Sequence, residues 1–295
     1  MRPFPTLRGT RRLPPPTAKQ LPALALTFLV ALGALLAVPA TGQAQISVDQ
    51  VEVFLAPGLP NRQTAVVNVA NVGDKPIQAT LYINDWDRDL TGDTRFFPVG
   101  QVSQSCRDRV QIFPTALRLE PRSEQAVRIT YTGPDSLRQA CWNVVFVEMA
   151  DLQPVQGRVV QYVLRAGVKI YVEPAGLARD GAVEDMRIAA HTLTRDELTK
   201  VPAGVTVDSA RSDVSLLFRN HGGIQIRPVG RVEIRRQDNS VAASVPVDEF
   251  PVLPGAERRM LVPLPTLPAG KYIAIALLDF GGAEIAGGQV EFERR

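Results

Sequence analysis

Hydrophobic and polar residues alternate in short runs over most of the chain from Ile46 onward. The runs are rich in valine and isoleucine, and Gly, Pro, Asn and Asp separate them. A period of two places apolar side chains on one face of a strand, and the separating residues favour turns. About seven short strands in roughly 130 residues predict an antiparallel Greek-key sandwich. The strands are expected at 51–55, 65–69 and 79–83, and near 124–132, 141–150 and 157–172.

A short segment divides this pattern into two parts. Residues 175–181 are predicted to be a linker, because proline, glycine and polar residues interrupt the alternation there. The predicted fold is therefore all-β, with two tandem immunoglobulin-like β-sandwich domains at residues 46–174 and 182–295. About 250 residues suit two domains of ordinary size.

Two turn sequences of the first half recur in the second half. Asn71-Val72-Gly73 recurs as Asn220-His221-Gly222, and Leu119-Glu120-Pro121 recurs as Val252-Leu253-Pro254. Asn and Gly tolerate left-handed backbone angles, so the repeat is interpreted as shared turn chemistry. Two related sandwiches in tandem explain it.

The first 44 residues have the order of a signal peptide. A basic segment comes first, an uncharged run from Leu21 to Val38 follows, and Pro39 and small residues come last. Cleavage is expected after Ala44, with Ala40 as the second choice. This predicts export to the periplasm, with membrane contact only through the signal peptide. The alternative is an uncleaved anchor, because about eighteen apolar residues are just enough to span a bilayer.

The positive charge of the chain belongs to this leader. The whole sequence has 33 basic and 30 acidic residues, and residues 1–44 contain five of the basic residues and no acidic residue. The remainder therefore has 28 basic and 30 acidic residues, a net charge of −2. Without a positive field, no nucleic-acid partner is expected.

The two cysteines, Cys106 and Cys141, are both in the exported part. An oxidising compartment lets a disulfide persist, so one bridge within the first domain is predicted. A redox-active or metal-binding pair is disfavoured because the C-x-x-C spacing is missing.

Carboxylates at alternate positions resemble the beginning of a calcium loop. Asp85, Asp87 and Asp89 supply them, but Leu90 and Phe96 stand where an EF-hand needs its glycine and its glutamate. The segment is interpreted as a solvated turn between strands.

Other chemical sites lack support in the sequence. His191 and His221 have neither a cysteine nor a second histidine at metal-ligand spacing. The chain contains no G-x-S-x-G elbow and no phosphate-binding loop. No catalytic residue, metal ion or cofactor is therefore predicted, and the protein is not expected to be an enzyme.

The strand before Pro174 carries the most specific pattern. Two earlier segments belong to the same resemblance. One is Ser47-Val48-Asp49 at the start of the first strand, and the other is Leu119-Glu120-Pro121 followed by Ala126-Val127-Arg128-Ile129. Over 46–174 these segments resemble the first domain of periplasmic pilus-assembly chaperones, a family with two immunoglobulin-like domains. Its members place alternating apolar residues and a lysine, five residues before a proline, on this strand. The matching residues here are Val160, Tyr162, Leu164 and Lys169.

The resemblance implies a protein subunit as the partner. A subunit that lacks a strand exposes unpaired backbone and apolar pockets, which a donated strand repairs by β-augmentation. A period of two sends Val160, Tyr162 and Leu164 to one side of the strand, where they would enter such pockets. The resemblance therefore implies strand donation from residues 157–172.

One position departs from the family. Its members anchor the subunit's terminal carboxylate with the lysine and an arginine on the first strand, whereas Glu52 stands at the position of that arginine. A carboxylate there repels the ligand and is available to pair with Lys169. Arg62 and Arg165 are the candidate substitutes for the missing arginine.

The predicted function is that of a periplasmic chaperone-like protein that binds and caps pilus, fimbrial or other surface-structure subunits. The alternative is a non-catalytic structural or adhesion module of the cell envelope. A polysaccharide-binding sandwich would require exposed aromatic residues on one face, and two tryptophans are too few to support it. An open edge on the last strand, beside a cleft that contains Lys169, favours the chaperone.

Overall fold

The computed structural model describes residues 45–155, 158–195, 199 and 210–294. The predicted signal peptide, residues 1–44, lies outside the described residues. Within these ranges, no helix is long and apolar enough to cross a membrane.

Two packed sheets form the first sandwich, as the alternating pattern predicts. One sheet has the strand order β1-β3-β8-β6, and the other has the order β2-β10-β9-β4-β5, with β7 paired to β4. Its strands in the described part are Ile46–Val48 (β1), Glu52–Leu55 (β2), Thr64–Asn71 (β3), Ile77–Arg88 (β4), Thr94–Phe97 (β5), Val110–Phe113 (β6), Ala116–Leu119 (β7), Glu124–Tyr131 (β8), Cys141–Val155 (β9) and Arg158–Val172 (β10). A short 3-10 turn lies at Pro60–Arg62.

The core of the first sandwich consists of the inward row of each sheet. Val67 and Val127 come from one sheet, and Leu81, Val145 and Ile170 come from the other. All five are almost completely buried. Burial of each such side chain contributes about 1.5–3 kcal/mol relative to exposure, which makes this row the main stabilising feature of the sandwich.

A second sandwich follows, with its own core. Its sheets have the orders β11-β12-β15 and β14-β13-β16-β17. Phe218 packs edge-on against Phe250 and Phe280 between the two sheets, with ring centroids 5.9 Å apart in both pairs. The described strands are Gly181–Thr192 (β11), Ala210–Asn220 (β12), Val229–Arg236 (β13), Val241–Val247 (β14), Glu257–Pro263 (β15), Gly270–Asp279 (β16) and Ala286–Arg294 (β17). The predicted fold of two tandem β-sandwiches is confirmed.

The repeated turns make equivalent contacts in the two sandwiches. The amide of Asn71 donates to Leu119 O at 3.1 Å and accepts from Gly73 N at 2.9 Å. In the same way, the amide of Asn220 donates to Val252 O at 2.9 Å and accepts from Gly222 N at 2.8 Å. The two repeated segments of each sandwich are therefore joined by one buried asparagine.

The left-handed backbone angles predicted for these turns occur after Pro121 and Pro254, at Arg122 (φ 58°) and Gly255 (φ 73°), but not in the turns that contain the asparagines. Positive φ angles occur elsewhere in the chain but at neither asparagine and at neither following glycine. Glycine is required at 222 because a Cβ there would lie 2.5 Å from Ala178 O. Asparagine is required because its side-chain amide satisfies backbone groups on both sides.

The carboxylates 85–89 do not lie together in a solvated turn. Asp85 is fully buried inside β4. It accepts hydrogen bonds from Gln101 N and Val102 N, both at 2.9 Å, and from Ser105 Oγ at 2.6 Å. The true turn is formed by Asp89 to Asp93. Asp85 instead fastens the loop before Cys106 to the sheet.

The predicted disulfide between Cys106 and Cys141 is present, and both cysteines are buried. Replacement of both residues by alanine is expected to lower the free energy of unfolding by about 3–4 kcal/mol, because the bridge closes a loop across a separation of 35 residues. Urea denaturation of the double variant measures this. A loss below about 1 kcal/mol would show that the bridge does not limit the unfolded chain.

Candidate functional site

Strand β10 has an open edge over most of its length. Along one side it pairs with β9 from Arg158 to Val172. On the other side β2 pairs in parallel with Lys169–Val172 alone, and Lys169 N donates to Val51 O at 2.9 Å. No other strand of the described ranges pairs with this side of β10. The stretch Arg158–Val168 therefore presents unpaired backbone groups, which is the template that another strand needs.

The side chains of one face of β10 form a single apolar row. Val168, Ile170 and Val172 belong to the buried core of the first sandwich. Tyr162 and Leu164 continue this face, and 46% and 38% of their surfaces are exposed. The exposed side chains therefore continue the inward-facing row of β10 beyond the buried core. Val160 pairs with Gln153 in the same register, and its side chain lies outside the described residues.

On the opposite face of β10, Tyr171 belongs to a buried cluster with Leu253 of the second sandwich, and Lys169 lies two residues before Tyr171 on the same face. The Lys169 ammonium lies 4.4 Å from the centroid of the buried Trp86 ring. Burial, and after it the positive charge of Arg88, lowers the pKa of Lys169 to about 8; Glu52 opposes this shift and Arg227 adds to it. Within the described residues, the ammonium has no hydrogen-bond acceptor and no carboxylate at ion-pair distance.

Glu52 pairs with an arginine of the second sandwich. Arg227 Nη2 donates to Glu52 Oε2, and its Nη1 donates to Glu249 Oε1 at 2.9 Å. Tyr171 donates its hydroxyl proton to the other oxygen of Glu52 at 3.3 Å. Although Glu52 lies opposite Lys169 in the strand register, its charge is compensated by Arg227. The expectation that Glu52 neutralises Lys169 is therefore wrong.

Neither candidate substitute for the missing arginine lies beside Lys169. Arg165 donates to Glu148 at 2.5 Å, and Tyr82 donates to the same carboxylate at 2.6 Å. Arg62 lines a cavity that it shares with Glu173. Among the neighbouring cations, Arg88 has the largest effect on the pKa of Lys169. Its guanidinium carbon lies 5.5 Å from the centroid of the same Trp86 ring.

The Arg88 guanidinium is partly used. Its Nη1 donates to Gly92 O at 3.0 Å, whereas its Nε is buried and has no partner among the described residues. Arg88 was not among the site residues predicted from the sequence, because the signal in this segment came from its carboxylates. Trp86 and Arg88 are two positions apart on a strand and so share a face, which is the pattern that would have pointed to the arginine.

The two sandwiches meet around the tryptophans. Trp86, Trp142 and Tyr171 of the first sandwich form a buried cluster with Leu253 of the second. Beside this cluster, the Arg258 guanidinium lies against the β4–β5 turn so closely that a Cβ on Gly92 would be 0.6 Å from its Nη1. The floor of the cleft near Lys169 is therefore built from both sandwiches.

The arrangement combines a hydrogen-bonding edge, an apolar row and a cation. The edge offers unpaired backbone groups, the row offers exposed apolar side chains, and Lys169 offers a positive charge beyond one end of the row. These are the features that pairing with an extended polypeptide would use.

Known proteins that are similar to this chain include chaperones. No family model matches the chain. Chaperone protein MrkB of Klebsiella pneumoniae is 25% identical over 162 residues, which cover 52% of this chain and 64% of the relative. The chain thus spans somewhat less than two thirds of that relative. The resemblance to the pilus-chaperone family is confirmed, at the level of a divergent relative.

Solved structures of fimbrial chaperones are also similar. The YadV chaperone shares 14% identity at a TM-score of 0.42, covering 84% of this chain and 100% of that one. The class 5 fimbriae chaperone CfaA shares 10% identity at 0.46, covering 83% and 98%. The Salmonella enterica SafA pilin in complex with the SafB chaperone gives 14% identity at 0.41, covering 86% and 99%.

Proposed function

We propose that this chain, a divergent relative of the fimbrial chaperones, captures and caps a pilus, fimbrial or other surface-structure subunit in the periplasm by donating residues 157–172 as a strand. The observation that carries the proposal is the open edge of β10 next to the exposed Tyr162 and Leu164. A rigid spacer has no need of an uncovered apolar strand, so this edge supports the chaperone over the structural module. The function involves no covalent chemistry.

Capture begins with backbone pairing along the open edge. Lys169 N points toward β2, so the alternation of a strand directs the N–H and C=O groups of residues 161, 163, 165 and 167 to the same side. A subunit strand would take up these groups. Tyr162, Leu164 and, in the same register, Val160 would then enter the pockets that its missing strand leaves open.

Lys169 and Arg88 are proposed to hold the carboxylate at the end of the captured subunit. The charge of Glu52 favours the Lys169 ammonium, but Glu52 makes its ion pair with Arg227 and also accepts from Tyr171. A charge-assisted bond from a desolvated lysine is stronger than one made in water. The second sandwich thus makes the cleft attractive to an anion although its usual arginine is missing.

The affinity for a subunit is expected to fall roughly tenfold between pH 7 and pH 9. The pKa of Lys169 is about 8, so its ammonium loses the proton over this range and no longer attracts the carboxylate. Fluorescence titration at both pH values measures the change. Lys169→Gln should bind weakly at both pH values with a flat profile, and a steep fall in that variant would contradict the assignment.

Over the same rise in pH, the free energy of unfolding is expected to increase while the affinity for the subunit falls. The folded pKa of Lys169 lies below the ordinary value of 10.5, so the unfolded chain binds this proton more tightly. The contribution of Lys169 to the free energy of unfolding therefore rises as the pH increases from about 8 to 10.5. A loss of capture at pH 9 is thus not a loss of fold.

Purification of the mature protein from its native cell envelope tests the function. The expected result is a one-to-one complex with a protein whose own sandwich lacks a strand. Recovery of the protein alone, or with partners of complete fold, would overturn the proposal. The Tyr162→Ser, Leu164→Ser variant supplies the control, because a complex formed through β10 is lost in it.

A further inference from the structure

A cavity of about 540 Å³ lies between the sandwiches, on the side of β2 and the linker. Its walls include Phe54 of β2, the Glu173 that follows β10, and Phe280 just after β16. No residue of the open part of β10 lines it. A volume of this size is typical of sites for small molecules, and the cavity is separate from the strand edge.

The strongest sign of a ligand is the side chain of Gln225. It is 9% exposed, and neither its Nε2 nor its Oε1 has a hydrogen-bond partner among the described residues. Its backbone N–H, by contrast, donates to Glu173 Oε1 at 3.2 Å. A buried amide without partners costs free energy, so its presence at a cavity wall calls for an occupant that can donate and accept.

The charge around the cavity favours an anion. Three arginines line it, of which Arg227 is paired with Glu52 and Glu249. Within the described ranges, the other two, Arg62 and Arg179, have no carboxylate at ion-pair distance. Glu173 is the nearby carboxyl, and burial raises its pKa, although Arg179 and Arg62 act against this. Asp279 already accepts a hydrogen bond from Gly281 N at 2.8 Å. Two exposed arginines are therefore free to bind a carboxylate in a bidentate manner.

The rest of the wall is apolar. Phe54 lines the cavity, is 41% exposed and stacks on Tyr171 with centroids 4.9 Å apart. Ile226, Val229 and Phe280 add aliphatic and aromatic surface. A ligand that fits both parts has a flat apolar body and an anionic head.

We propose that this cavity binds a small organic carboxylate whose head is held by Arg62 and Arg179 and whose polar edge is read by the amide of Gln225. The site goes beyond subunit capture, because it shares no residue with the open edge of β10. It gives the interface between the sandwiches a small-molecule ligand.

Calorimetric titration of the mature protein with benzoate and with its neutral isostere benzamide tests the anion preference. Benzoate is expected to bind at least roughly tenfold more tightly. Arg179→Gln should abolish the preference, whereas Arg138→Gln, an exposed arginine elsewhere, should preserve it. Equal binding of the two probes, or no binding of either at millimolar concentration, would overturn the proposal.

Gln225→Leu provides a second, independent readout. Removal of an unpartnered buried amide is expected to raise the thermal unfolding temperature of the free protein, because an apolar side chain has no unmet hydrogen bonds. The same variant should bind benzoate roughly tenfold more weakly. A lowered unfolding temperature together with unchanged benzoate binding would show that Gln225 serves the fold alone.

An assay of subunit capture distinguishes the cavity proposal from the proposed chaperone function. Arg179→Gln and Gln225→Leu leave the open edge of β10 intact, so both variants should capture the subunit as the original protein does. If benzoate fails to bind but capture persists, the cavity proposal falls and the chaperone proposal stands.

Discussion

A variant with serine in place of Val160, Tyr162 and Leu164 loses subunit capture but keeps a folded, disulfide-linked first sandwich. Tyr162 and Leu164 are 46% and 38% exposed, so about two fifths of each side chain is left to be buried on capture. Since full burial of a large apolar side chain is worth about 1.5–3 kcal/mol, this part contributes about 0.6–1.4 kcal/mol for each residue. Loss of three such contacts lowers the affinity by about twentyfold to a thousandfold. Surface plasmon resonance with the purified subunit measures it.

Val163→Ser is the matched control for this experiment. Val163 lies on the same strand, is 47% exposed and points to the opposite face. It should leave capture nearly unchanged. Equal losses in Val163→Ser and in the triple variant would mean that the direction of the side chains is irrelevant, and full capture by the triple variant would refute donation of this strand.

Trp86→Ala is expected to lower the free energy of unfolding by about 3–5 kcal/mol. The side chain is fully buried, packs edge-on to Tyr171 at 5.7 Å and donates from Nε1 to Asn143 O at 2.9 Å. The variant leaves a large cavity and an unpaired carbonyl, and it removes the ring on which Lys169 rests. Subunit binding should weaken as well.

Urea unfolding followed by Trp142 fluorescence measures this loss, since Trp142 is the second of the two tryptophans. Trp86→Phe is the control, because it keeps an aromatic ring beside Lys169 and loses the N–H donor. It should cost less than the alanine variant. A cost below about 1 kcal/mol for Trp86→Ala would contradict a structural role at the base of the cleft.

The strand pattern was predictable because burial has the same period as the backbone. Val168, Ile170 and Val172 are buried and Tyr162 and Leu164 continue their row, as an alternating strand requires. Sequence could not show that β2 stops pairing with β10 at Lys169, since strand pairing depends on tertiary geometry. The open edge of β10 could therefore be established only from the structure.

The internal repeat was predictable as a pattern but not as a mechanism. Asn71 and Asn220 were visible beside equivalent glycines, yet the sequence suggested left-handed turns. The structure shows that each amide joins two distant segments, to Leu119 in one case and to Val252 in the other. Long-range side-chain hydrogen bonds carry no local signature.

The charges of the cleft were the least predictable part. Glu52 and Lys169 were identified from the strand alignment, but the partner of Glu52 is Arg227, 175 residues further along the chain. Contacts between sandwiches depend on how the domains dock, which alternation does not encode. The prediction that Asp85 lies in a solvated turn was wrong for a related reason. Sequence alone does not distinguish a buried carboxylate that binds a loop from one in contact with water.

Residue-resolved hydrogen exchange of β10, with and without the co-purified subunit, tests the central claim most directly. In the free protein, the amides of residues 161, 163, 165 and 167 should exchange quickly, because they face the open edge, while their even-numbered neighbours are bound to β9. On capture the odd-numbered amides should become strongly protected. If they stay fast in the complex, or are already protected in the free protein, β10 is not the donated strand.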